Sequence, residues 1–332
     1  LGISLLPQAG VALGMSVTVA SDFGAEGAIV RNIVLFSVLA PGFLSVGNFE
    51  TILRSISINT VLAMSLTVTL AVGGFDLAAG ALASVSGYFV MSFVLWYGMD
   101  LLPATLITIV LTMLLQCVTM FLIIKCKVPD LLATCAMMFV LQGVGLTYTG
   151  GGAISAGMRR PNGMESIGSI PGIMKTIGSS PTIIIIMLVC VLAVHVFLSY
   201  TKYGRYIYAV GGNKTAAKLS GIPVKKYRFA AGMIAAFFIA LTGVLVCSRN
   251  QSAQIQGAEG YQMYALAAVF IGRSVAGQGK PNAIGTLVGA TLVGILDNGL
   301  IMIGVPYYSL NAVKGGVLAL ALIAAYVSSK DD

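Results

Sequence analysis

The chain has 332 residues, 58% of them hydrophobic and only 9% charged, with a formal net charge of +8 and a mean hydropathy of +0.96. Soluble domains carry roughly 25% charged residues, so this composition excludes an ordinary water-soluble globule. The positive charge alone would suit nucleic acid, but its placement, described below, does not.

Spanning a bilayer takes about 20 predominantly apolar residues per helix. Apolar runs of that kind lie near 28–46, 52–72, 77–97, 102–125, 130–149, 181–200, 228–248, 261–278, 283–303 and 308–327, with an eleventh candidate at 1–20. Transmembrane barrel strands alternate polar and apolar residues over about 10 positions, and these runs do not, so the chain reads as an all-α polytopic membrane protein. Residues 1–20 lack the charged start of a secretory signal. The break between the second and third runs, GGFDLAAGA (73–81), places Gly73, Gly74 and Asp76 at the opening of a small-residue helix. A helix N-terminus favours an acid, so Asp76 reads either as a cap or as part of a transport path. A looser echo, IGRSVAGQGKPNAIGTLVGA (271–290), suggests repetition in parallel orientation.

The connection at 150–181 is rich in Gly, Ser and Pro, and predicts an irregular external loop with one short helix. Residues 248–260 are polar and read either as an external contact for a delivery protein or, more plainly, as a solvated external connector. Between 201 and 228 stand seven Lys or Arg residues and no acid. Asn213 is placed to cap a short helix there, Gly221 to end it and Pro223 to prevent its continuation. Such a helix suits force transmission from a soluble motor; a loop made basic only to fix topology reads equally well. With the first run starting in the cytoplasm, thirteen basic residues fall inside (Arg31, Lys125, Lys127, Arg273, Lys280, Lys330 and the seven of the loop). Five fall outside: Arg54, Arg159, Arg160, Lys175 and Arg249. That asymmetry is the positive-inside signature and removes the need for a nucleic-acid partner, leaving membrane lipid as the surrounding one.

Chemistry-bearing residues are sparse. The five cysteines form no CxxC pair, the single His195 makes no metal site, and no GxxxxGK[ST], GxSxG or HExxH motif occurs. The expectation is a chain that is not an enzyme and holds no metal or cofactor. Asp297 and Asn298 interrupt an apolar run, to face a pore or to satisfy a neighbour. For a neutral, hydroxyl-rich solute the path needs amides and hydroxyls, and Asn59, Tyr88, Gln142 and Asn298 supply them within spans. Each serves equally as glue between helices.

From about residue 39 onward the chain resembles the permeases of bacterial ABC sugar importers, in their ribose-type branch. The matching residues are APGFLSVGNF (40–49), GGFDLAAGA (73–81), GRYIYAVGGNKTAAKLSGIPV (204–224), AGQGKPNAIGTLVGA (276–290) and LDNGLIMIGV (296–305). The resemblance implies the ABC importer permease fold of about ten transmembrane helices over 39–332, with 1–38 an atypical N-terminal segment that includes the start of the first permease helix. It implies a second permease subunit, two cytoplasmic ABC ATPase subunits that use the ATP, and a periplasmic or lipoprotein sugar-binding protein. By the same resemblance, Gly211, Gly212, Asn213, Lys214, Thr215, Ala216, Ala217, Lys218, Leu219, Ser220 and Gly221 form the element that couples to the ATPase. The first 38 residues are instead similar to the closing helices of monovalent cation/proton antiporters. An ion-coupled secondary carrier, or a membrane scaffold for a soluble partner, are the alternatives to an importer.

Overall fold

A computed structural model describes residues 27–37, 39–40, 42–276, 279–305, 309, 312 and 315–316. The antiporter-like residues 1–26 and most of the run at 308–327 lie outside the described residues. Among the described residues, seven helices are long and apolar enough to cross a membrane. They are α2 (Val46–Ala71), α3 (Ala79–Met91, continued by a π turn to Trp96), α4 (Leu101–Ile124), α5 (Asp130–Thr149), α7 (Ser180–Tyr200), α10 (Val224–Asn250) and α12 (Ala283–Met302). A shorter apolar helix, α1 (Gly27–Ser37), and the 17-residue helix α11 (Gly260–Ala276) occupy two further expected spans. The short helices α6 (Gly172–Ile177), α8 (Lys202–Gly212) and α9 (Lys214–Leu219) lie in connections.

The chain divides into two compact units: 57–265, and 1–56 with 266–332. In the first, α3 is the axis, with nearly every residue buried. Hydrocarbon solvates Leu as well as another Leu does, so helices associate in lipid through close packing of small residues. Accordingly a Cβ at Gly243 of α10 would collide with Ser86 Oγ and the Ala83 carbonyl of α3, and one at Gly87 would lie 2.8 Å from Cys247 Sγ. On α4 the amphipathicity is inverted. Thr108, Thr112, Gln116 and Thr119 are buried, whereas Leu102, Leu106, Val110, Leu114 and Phe121 are exposed. The threonines satisfy themselves on the preceding turn, Thr108 donating to the Ala104 carbonyl and Thr112 to that of Thr108, both at 2.8 Å. Polar inside and leucine outside is the arrangement that lipid selects.

In the second unit α11 and α12 cross at backbone contact, Gly272 against Gly285 and Gly289 against the Ala268 carbonyl. Gly299 abuts the Phe36 ring of α1, which lies 5.6 Å from that of Phe43. Asn282 caps α12, its Oδ1 accepting from Gly285 N at 2.7 Å.

The external loop contains the expected short helix, α6, and also a strand, β1 (Ile154–Ser155), paired antiparallel with β2 (Ser252–Ala253). That pairing qualifies the reading of 248–260 as a solvated connector: Ser248, Ala253 and Ala258 are buried, while Asn250, Gln254, Ile255, Gln256 and Gly260 are exposed. Two of the segment's backbone amides, Gln256 N and Ala258 N, donate to α3, while the side chains of Asn250, Gln254 and Gln256 are exposed.

Candidate coupling element and transmembrane polar site

After α7 the chain turns at Thr201, whose hydroxyl accepts from Gly204 N at 3.1 Å and so starts α8, a helix the sequence reading left inside the loop. Asn213 then stands extended between α8 and α9, and its Oδ1 accepts from both Thr215 N and Ala216 N at 3.0 Å. The bond set is that of a capping residue. Gly221 takes φ +79°, the left-handed conformation that ends the helix without steric cost, and Pro223 follows. Of the candidate coupling segment 211–221, Ala217 is buried and holds α9 to the protein. Lys214, Thr215, Ala216 and Lys218 are exposed, and Leu219 is 84% exposed.

The segment is anchored at its start by a glycine pair. A Cβ at Gly73 would lie 3.1 Å from Gly211 Cα, and a Cβ at Gly211 would collide with the Ala71 carbonyl. Gly73 also holds φ +72°, so it is glycine for conformation and for space. The end of α8 therefore presses directly on the end of α2, at the break that carries Gly74 and Asp76.

That break is one wall of a cavity of about 20 Å3, the room of about one water. Asp76 is buried; its Oδ1 accepts from Ala78 N at 2.8 Å, and its Oδ2 from Gln116 Nε2 of α4 at 3.3 Å. The Ala78 bond is a turn just ahead of α3, whose cap position is Ala78 and carries no side-chain cap bond. Gln116 Oε1 is buried and has no partner among the described residues. The far wall is an ion pair between Arg228, near the start of α10, and Asp130, the first residue of α5. A Cβ on Gly74 would lie 3.2 Å from Asp130 Oδ2.

A second polar array follows one face of α3, on residues four apart. Gly80 N donates to Gln262 Oε1 (2.7 Å), and Gln262 Nε2 donates to the Asp76 carbonyl (2.9 Å). Ser84 Oγ accepts from Ala258 N (3.0 Å), and the Tyr88 hydroxyl from Gln256 N (2.7 Å). Ser92 Oγ pairs with the Tyr148 hydroxyl at 2.6 Å. Gln142 Nε2 donates to Glu259 Oε2 at 2.9 Å. Asn298 Nδ2 donates to Asn48 Oδ1 at 2.9 Å within the other unit.

Of the residues singled out for a path, Gly73, Gly74 and Asp76 are brought together. Tyr88 and Gln142 bond to the same segment, 251–259. Asn59 is buried on α2, its Oδ1 unpartnered among the described residues. Sequence reasoning missed Gln116, Asp130, Arg228, Glu259 and Gln262. A signal existed for the ion pair, because an acid opening one predicted span and an arginine opening another share the same predicted membrane face. Among the described residues no cluster of three or more His, Cys, Asp or Glu could hold a metal.

The family model for the permease component of branched-chain amino acid transport systems matches residues 48–326. The ribose import permease protein RbsC of Escherichia coli K12 is 34% identical over 296 residues, covering 89% of this chain and 91% of that protein. RbsC of Bacillus subtilis 168 is 33% identical over 291 residues, 88% of each chain. The xylose transport system permease XylH of Haemophilus influenzae is 28% identical, covering 89% of this chain and 93% of that protein. No solved structure matches. With its apolar helices, buried polar break and capped helix α9, the chain is a multi-pass inner-membrane protein and belongs to this family of transport-system permease components.

Proposed function

We infer that the chain is the translocating subunit of an ATP-driven ABC importer for a monosaccharide such as ribose. It holds no catalytic group of its own; ATP is bound and hydrolysed by two partner ATPase subunits, and alternating access follows their closure. A sugar is favoured over an amino acid because similar proteins are ribose and xylose permeases. The neutral amides and hydroxyls of Asn59, Tyr88, Gln142 and Asn298 also suit a polyol better than a zwitterion. The observation that carries the coupling role is α9: a capped helix presenting Leu219 and two lysines outward, while the adjoining Gly211 bears on the α2 break.

In this reading the pore binds sugar weakly and affinity resides in an external sugar-binding protein. A second permease subunit completes the bundle. Asn213–Gly221 couples to the ATPase, and the break at Gly73, Gly74 and Asp76 is where the bundle responds. The test is uptake of labelled ribose and xylose into right-side-out membrane vesicles loaded with ATP and supplied with the binding protein outside, with the cognate ATPase gene present or deleted. ATP-dependent uptake lost on deletion supports the reading. Uptake that ignores ATP and collapses with a protonophore returns the chain to the secondary-carrier class.

A further inference from the structure

Helix α8 has exposed residues that neither the polar site nor α9 uses. Gly204, Ile207 and Val210 are buried, spaced three apart, and hold it to the protein. A Cβ at Gly204 would collide with the Phe197 and Leu198 carbonyls, so α8 is seated on the last turn of α7. Off that buried face stand Lys202, Arg205 and Tyr206, all exposed, and Tyr203, one turn before Ile207 on the same side of the helix, is exposed as well.

These residues continue an exposed apolar row. On α7, Ile185, Leu188, Leu192 and Val196 are exposed at helical spacing, and the row ends at Tyr200, 72% exposed. Past the turn, Tyr203 is 50% and Tyr206 40% exposed. Aliphatic side chains give way to tyrosines at the point where bases begin: Lys202 Nζ lies 5.4 Å from the Tyr203 ring centroid, and Tyr206 packs against Tyr227 at 5.2 Å beside exposed Lys225 and Lys226. Tyrosines set an apolar ring and a polar tip at headgroup depth, and bases beside them reach phosphate. An amphipathic helix with bases on its polar side is the form that lies along a bilayer surface. No acid occurs from 201 to 228 to neutralise these cations within the segment.

We propose that the exposed residues at the start of α8, Lys202, Tyr203, Arg205 and Tyr206, together with Tyr200, bind the anionic phospholipid headgroups of the cytoplasmic leaflet. The occupant is lipid rather than protein because the cluster extends the apolar row of a spanning helix and changes to tyrosine and base at the row's end. Asn213 alone separates α8 from α9, so the lipid charge that holds α8 also fixes the base of α9.

The test uses the full chain carrying Tyr203→Trp, in nanodiscs that contain equal fractions of brominated phosphatidylglycerol or brominated phosphatidylcholine. Quenching of the native Trp96, measured in the parent chain, is subtracted. The introduced indole is expected to be quenched at least about twofold more by the anionic lipid. Adding Lys202→Gln and Arg205→Gln should lower the relative affinity for phosphatidylglycerol by about fivefold per charge, while Lys202→Arg with Arg205→Lys retains it. Equal quenching by the two lipids, a preference that survives loss of both charges, or no quenching by either lipid (the result if a protein covers the face) overturns the proposal. If the charge-removed chain does not purify folded, the two-lipid comparison on Tyr203→Trp alone decides.

Discussion

Gly211 and Gly73 meet backbone to backbone: a side-chain carbon on Gly73 would lie 3.1 Å from Gly211 Cα. One glycine ends the helix that leads to α9; the other ends α2 and opens the break before Asp76. No flexible side chain intervenes to absorb displacement. A shift at α9 is therefore delivered to the break with little loss, which is what a rigid close-packed contact does.

Gly73→Ala should destabilise the chain by about 1–3 kcal/mol, combining the cost of a left-handed alanine with overpacking against Gly211. Gly212 is exposed with open space beside it, and Gly212→Ala should be nearly neutral. The midpoint of denaturation in mild detergent measures both. Equal midpoints for the two variants would mean that the contact is slack.

The Asp130–Arg228 pair closes the cavity from α5 and α10, and both side chains are largely buried. Removing one partner leaves the other charge uncompensated, so Asp130→Asn or Arg228→Gln should cost about 2–4 kcal/mol. The double variant should cost less than the sum of the two. A double-mutant cycle on the unfolding midpoint reads this coupling directly.

Tyr88→Phe removes the acceptor for Gln256 N and leaves a part-buried amide unpaired, at a cost of about 1–3 kcal/mol. Gln142→Leu should behave similarly by stranding Glu259. Amide exchange at 254–258 should rise in Tyr88→Phe and remain unchanged in α9. Exchange already fast in the parent chain would contradict the bonding of this segment to α3.

Leu219 is exposed and touches little, so Leu219→Asp should change stability by less than about 0.5 kcal/mol. It should nevertheless abolish co-purification of the ATPase subunit, whereas Tyr200→Asp on α7 should not. Intact co-purification of the Leu219→Asp chain would remove α9 from the interface.

The legibility of these features in sequence follows their range. The α9 helix was readable because its start and stop are local: Asn213, Gly221 and Pro223 act on their immediate neighbours. Spans were readable from length, although α2 starts at Val46 rather than 52, since Asn48, Glu50 and Arg54 lower hydropathy without breaking a helix. The count of ten is not settled by the described residues, because the last expected span falls largely outside them. The ion pair joins residues 98 apart and the Gly80–Gln262 bond residues 182 apart, separations at which periodicity is silent. Residues 248–260 combine two roles: the polar side chains of Asn250 and Gln254 are exposed, as in any solvated connector, whereas the backbone amides of Gln256 and Ala258 donate to α3, a pairing that side-chain polarity does not announce. Whether a polar side chain in a span bonds to a solute or to a neighbour depends on that same tertiary pairing.

The central claim, that work enters through α9 and reaches the break at Gly73, is tested most directly by measuring ATP hydrolysis and sugar uptake together. The preparation is proteoliposomes holding the permease, its ATPase and the binding protein. For Gly211→Ala the account predicts an assembled complex that still hydrolyses ATP while sugar moved per ATP falls about tenfold or more. An unchanged ratio of uptake to hydrolysis in a folded, assembled Gly211→Ala complex would contradict it.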